Sequence, residues 1–100
     1  MEERIKLKKR LKVAISKNLG VDFTEGVKLG TTYSENVARR IYIKICNEIG
    51  YSTDEISKEV GIHIKNVQRN IRIYKNDYLY NKGFRSLAER ITVDVYLWMD

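Results

Sequence analysis

The sequence predicts an all-α protein, a small helical domain that contains a helix-turn-helix. Three observations predict it. Apolar residues recur at three- and four-residue spacing along most of the 100-residue chain, and proline is absent from it. The stretch "STDEISKEVGIHIKNVQRNI", Ser52 to Ile71, divides at a glycine into two short helical patterns.

The first predicted helix is "EERIKLKKRLKVAISKNL". Leu7, Leu11, Ala14 and Ile15 fall on one face, Gly20 can end it, and seven lysines and arginines ring the other sides. Val21 to Thr32 reads as a loop, with a short helical turn anchored by Phe23, Val27 and Leu29. A second long helix follows in "SENVARRIYIKICNEIG", with Ser34 as its cap, Glu35 in its first turn and Gly50 as its stop. Its expected buried stripe is Val37, Ala38, Ile41, Ile45 and Ile49. "RIYIKIC" also alternates with the period of a strand; length and the flanking caps favour the helix. The closing stretch "YNKGFRSLAERITVDVYLWMD" reads as a helix through Phe84, Leu87, Ala88, Ile91, Val95 and Trp98, although "ITVDVYLW" is β-branched and alternates.

Within Ser52 to Ile71 the pattern is more specific. Ser52 and Glu55 make a capping box, in which the hydroxyl accepts from the backbone of residue 55 and the carboxylate reaches back. Ile56 and Val60 face inward, Ser57 is small where a second helix approaches, and Gly61 permits an abrupt left-handed end. Val67, Ile71 and Tyr74 form the inner stripe of a second helix over about residues 63–76, with Ile62 plugging the turn. At 100° per residue, Lys65, Gln68, Arg69 and Arg72 come together on the opposite side. Lysine and arginine neutralise phosphates or donate to guanine, and glutamine pairs bidentately with adenine. His63 and Ile64 open this helix; Ile64 either completes the inner stripe or meets a thymine methyl.

Charge follows the same division. The net charge of +6 gathers in Met1 to Asn18, with seven basic residues against two acidic, and in His63 to Asn76, with four basic residues and no acid. Two basic segments in a near-neutral chain suit a phosphate-facing surface, and equally a solvated one. The 43% hydrophobic and 32% charged composition describes a folded domain, here one domain over 1–100, without a bilayer-length apolar run. No disulfide framework is possible with one cysteine, Cys46, and the start lacks a signal-peptide pattern, so a cytoplasmic location is expected. One histidine, one cysteine and no nucleophile–base spacing argue against an enzyme and against a metal or other cofactor.

These residues resemble the C-terminal DNA-binding domain of the bacterial chromosomal replication initiator DnaA, a helix-turn-helix of Trp-repressor type. The resemblance covers about Val13 to Ile91. "VARRIYIKICNEIGYSTDEISKEVG" is similar to that family's Arg-led helix and the first helix of its motif. "NVQRNIRIY" is similar to its recognition helix, "NDYLYNKGFRSLAERI" to its closing helix and "VAISKNLGVD" to its opening one. The family's base-reading run Asp-His-Thr-Thr-Val is replaced by "HIKNV", and its basic loop by "LGTTYSENV", which holds no lysine or arginine. No phosphate-binding "GxxxxGK[ST]" motif occurs, so no ATPase region is present in this chain.

The resemblance implies a partner, double-stranded DNA. His63, Lys65, Asn66, Gln68, Arg69 and Arg72 are the residues expected in or beside the major groove, with Arg39, Arg40, Lys44 and the N-terminal lysines on phosphates. A regulator or replication accessory factor of a bacterium, phage or mobile element fits this expectation. The alternative is a protein-interaction module that keeps the fold without reading bases. Its partner, or a second copy in a homodimer, would meet the last helix and Tyr78, Tyr80, Tyr96, Trp98 and Met99.

Overall fold

Five helices follow one another in the computed structural model, which describes residues 2–21, 23 and 32–97. They are α1 (Glu2–Leu19), α2 (Tyr33–Ile49), α3 (Thr53–Val60), α4 (Ile64–Tyr80) and α5 (Lys82–Tyr96). Of the two stretches that also carried strand periodicity, the first is helical throughout and the second as far as Tyr96. "RIYIKIC" lies inside α2, and "ITVDVY" completes α5. Of the predicted helical turn in the first loop only Phe23 is described; Val27 and Leu29 lie outside the described residues, as do Trp98 and Met99.

The reason for the alternation in α2 is visible in its packing. Ile41, Tyr42, Ile43, Ile45 and Cys46 are all buried, so this helix is apolar around most of its circumference, not along one stripe. It is packed by α1, α3 and α4, and Ile49, expected inside, is only half-buried. Each fully buried isoleucine of this kind contributes about 1.5–3 kcal/mol of transfer free energy. Leu11, Ala14 and Ile15 of α1, and Ala88, Ile91 and Val95 of α5, continue the same core, with α1 lying along α5. Asn18 joins these two chain-distant helices, donating to Asp94 Oδ2 at 3.0 Å.

Local signals set the helix ends. Thr32, not Ser34, caps α2: its hydroxyl accepts from the Glu35 backbone at 3.1 Å and donates to the Glu35 carboxylate at 2.8 Å. The helix therefore starts at Tyr33, and Ser34 falls inside its first turn. Ser52 and Glu55 form the expected capping box at the head of α3, at 3.0 and 2.9 Å. Because the Ser52 backbone N–H donates to it, the Glu55 carboxyl titrates below its ordinary range.

α3 ends at Gly61, whose φ of +77° is a left-handed conformation, and α4 begins three residues later. Ser57 has a role beyond small size: its hydroxyl donates to the carbonyl of Ile62 and ties α3 to the turn. α4 runs past the expected end near residue 76 to Tyr80, because Tyr74 is buried and Tyr78 half-buried against neighbouring helices. Tyr74 packs edge-on against Phe84 at 5.2 Å and stacks with Tyr78 at 6.0 Å.

Candidate nucleic-acid interface

The turn between α3 and α4 aims the start of α4 outward. Val67 is fully buried beneath it, which fixes the rotation of the helix about its axis. Lys65, Asn66, Gln68, Arg69 and Arg72 are consequently all exposed. Lys65, Arg69 and Arg72 lie within an arc of about 60° and span about 10 Å of helix. None of these three, nor Lys75 further along, has an ion-pair partner among the described residues.

His63 is the helix cap. Its Nδ1 accepts from the Lys65 backbone N–H at 3.0 Å and satisfies one of the unpaired amides at the helix start. Exposed, it still offers its second nitrogen to solvent or a ligand. Ile64 is half-buried, consistent with the inner stripe.

Arg39 and Arg40 come from the first half of α2 and meet this surface. Together with Asn66, Arg69 and Asn70 they line a groove of about 330 Å³ between α2 and α4, floored by Ile62 and Ile73. Three guanidinium groups thus converge on one hollow. Arg39 Nη2 donates to Asn36 Oδ1 at 2.8 Å, and Arg40 Nη1 lies 3.5 Å from Asp77 Oδ2. Each guanidinium also keeps a nitrogen without a partner, Nη1 of Arg39 and Nε of Arg40. A multidentate oxyanion such as a backbone phosphate is the ligand chemistry that suits such a hollow.

Lys44 is placed elsewhere. Its ammonium is 2.8 Å from Glu48 and 5.8 Å from the Tyr74 ring, with the side chain only 13% exposed. It lines a second groove, of about 450 Å³, with Tyr74, Tyr78, Leu79 and Thr92. The N-terminal cations divide in two. Arg4, Lys8 and Lys12 turn inward: Lys8 sits 3.1 Å from Glu59, Arg4 donates to the Gly50 carbonyl at 3.2 Å, and both lie over the Tyr51 ring. Partial burial pulls the Lys8 ammonium down, but the hydrogen bond and charge of Glu59 outweigh it and leave its pKa raised. Lys6, Lys9 and Lys17 are exposed.

Sequence reasoning missed Asn70, and counted Lys75 in the basic run without placing it among the site residues. Asn70 donates to the Asn66 carbonyl at 2.7 Å and faces the arginine groove. Lys75 stands on the exposed side of α4, and its place in an acid-free run was the available signal. Comparison with protein-family models, curated proteins and solved structures gives no match to this chain. No helix among the described residues is long and apolar enough to cross a membrane.

Proposed function

We propose that this chain is a double-stranded DNA-binding protein in which α3 and α4 act as a helix-turn-helix of the DnaA C-terminal-domain, Trp-repressor-like type. One observation carries the reading. The inner side of the first half of α4 is apolar, with Val67 buried and Ile71 packed against the core, while its outer side presents Lys65, Arg69 and Arg72 unpaired among the described residues, next to a groove that adds Arg39 and Arg40. In this reading α4 enters the major groove, with Lys65, Asn66 and Gln68 nearest base edges. Arg39, Arg40 and Arg69 clasp a backbone phosphate on one flank, and His63 serves as a cap that also faces the duplex. A cytoplasmic regulator or replication accessory factor is the role that suits it.

The replaced base-reading run means that the DNA sequence preferred here differs from that of the initiator it resembles. Binding to duplex DNA across a salt series tests the proposal. The logarithm of the binding constant should fall linearly with that of salt. Arg69→Ala and Arg72→Ala should each flatten the slope by about 0.9 and weaken binding at low salt. A salt-independent constant, or none measurable at low ionic strength, would overturn it.

A second reading has its own support: Leu79 is 64% and Tyr80 81% exposed at the far end of α4. A protein-interaction module without DNA affinity would use that end.

A further inference from the structure

The cations of α1 are divided by rotation about its axis. Arg4, Lys8 and Lys12 turn to α3, where they lie 3.7, 3.1 and 3.8 Å from the carboxylates of Glu55 and Glu59. Lys6, Lys9 and Arg10 have no ion-pair partner among the described residues. At 100° per residue Lys9 stands opposite the middle of the buried side, Leu11, Ala14 and Ile15, and Ile5, Lys6 and Val13 fall within about 60° of it. Lys6, Lys9, Ile5 and Val13 are exposed, with Arg10 half-buried at their flank. Glu3 is the one acid that shares a hollow with Lys6 and Lys9 among the described residues. Lys17, further along, lies beside Glu89 and Asp94 of α5. The surplus positive charge of this face therefore belongs to its first half.

The packing turns this face away from the outer side of α4. α1 packs on α2 and α5, and α4 packs on the same two helices, while α1 and α4 have no extended interface with each other. They stand on opposite sides of α2 and α5, in a molecule 23 Å across at its thinnest. Each turns apolar residues to the shared core, Leu11, Ala14 and Ile15 from one and Val67 and Tyr74 from the other. A duplex seated on Lys65, Arg69 and Arg72 thus leaves Lys6 and Lys9 facing the other way.

We propose that the outer face of α1 binds the backbone phosphates of a second DNA duplex, so that one chain bridges two. The bridging rests on the DNA-binding reading of α4; the basic face of α1 does not. The occupant follows from charge and from what the face lacks. Lys6, Lys9 and Arg10 are long, unpaired among the described residues and spread over about 6 Å of helix, which suits phosphates held without regard to sequence. A lipid surface would need an apolar helix face to insert. Apart from Ile5 and Val13, the apolar side chains of α1 are held in the core or against it. Three phosphate contacts make a weak and salt-sensitive site, whose binding constant should fall about fortyfold from 50 to 200 mM salt.

The test holds one duplex on beads and offers a second, labelled duplex of unrelated sequence together with the full chain at low salt. Label should stay on the beads only when the chain is present, and should fall away at high chain excess, where separate chains cover each duplex. Lys6→Glu with Lys9→Glu should lower the retained label at least about tenfold, while binding of the chain to the bead duplex changes less than about threefold. Arg69→Ala with Arg72→Ala should lower both. Thermal unfolding of each variant separates lost binding from lost folding. A chain that binds the bead duplex and retains no second one overturns the proposal. Retention indifferent to Lys6→Glu with Lys9→Glu in a folded variant also overturns it, and assigns the bridging to self-association. Binding to phosphatidylserine vesicles that this variant abolishes, with no duplex retained, gives the face to a lipid surface instead. A chain that binds no duplex at all removes the reading of α4 as well, and the bead duplex alone identifies that case.

Discussion

Gly61 and Ser57 decide where α3 stops. A Cβ at Gly61 would meet nothing within 4 Å, so packing does not demand glycine there; the φ of +77° does. Gly61→Ala should therefore cost about 1–2 kcal/mol from backbone strain alone, and Gly61→Asn clearly less, because asparagine tolerates the left-handed region. Denaturant titration of the two variants checks this, and equal losses would mean that space, not conformation, is limiting. Ser57 adds a second tie by donating to Ile62 across the turn. Ser52→Ala removes the other end's cap and should cost about 1 kcal/mol, seen as a fall of several degrees in Tm.

At the level of elements, α2 is the helix most enclosed by the others, and its two buried weakly acidic side chains, Tyr42 and Cys46, record this. Burial pushes the Cys46 thiol up to about 12. Burial, the neighbouring Cys46 and the bond from the Tyr42 hydroxyl to Glu59 at 2.8 Å hold the Tyr42 phenol far above its ordinary range. Above the ordinary thiol value of 9.0 the unfolded chain loses a proton that the folded chain keeps. The thiol's contribution to stability is thus complete below about pH 9 and is lost as pH rises towards 12. In Cys46→Ala the decline should begin only near 10.0, the ordinary tyrosine value; Tm measured against pH would show the later onset, and an unchanged onset would exclude the thiol as its cause.

The sequence made the number and order of helices legible because glycines and caps punctuate them, and the start of α4 because Val67 fixes its rotation. It did not reveal that α2 is covered on most sides, since one-sided periodicity cannot report how many neighbours a helix has. It placed Lys44 with the phosphate-facing residues, yet a lysine four residues before Glu48 and within reach of Tyr74 is drawn to them instead. Nor could it show that Arg39 and Arg40 meet Asn66 and Arg69, because that contact depends on the packing of α2 against α4.

Across the whole molecule, the two ends of the chain close the fold. α1 lies along α5, and Asn18 bridges to Asp94 over 76 positions. A chain lacking residues 1–20 would expose the faces of α2 and α5 that now cover Leu11, Ala14 and Ile15. It should unfold without a cooperative thermal transition and bind a hydrophobic dye, whereas the full chain should melt sharply. The ion pair between Arg40 and Asp77 has a further effect at this scale. Asp77 stands in the second half of α4, so an oxyanion that reached the Nη1 edge of Arg40 would compete there with a carboxylate that the protein itself supplies. At that edge, binding would be an exchange between two anions, and its strength would be their difference. A tethered carboxylate would be at hand to reclaim the arginine, and it offsets one of the three positive charges of Arg39, Arg40 and Arg69.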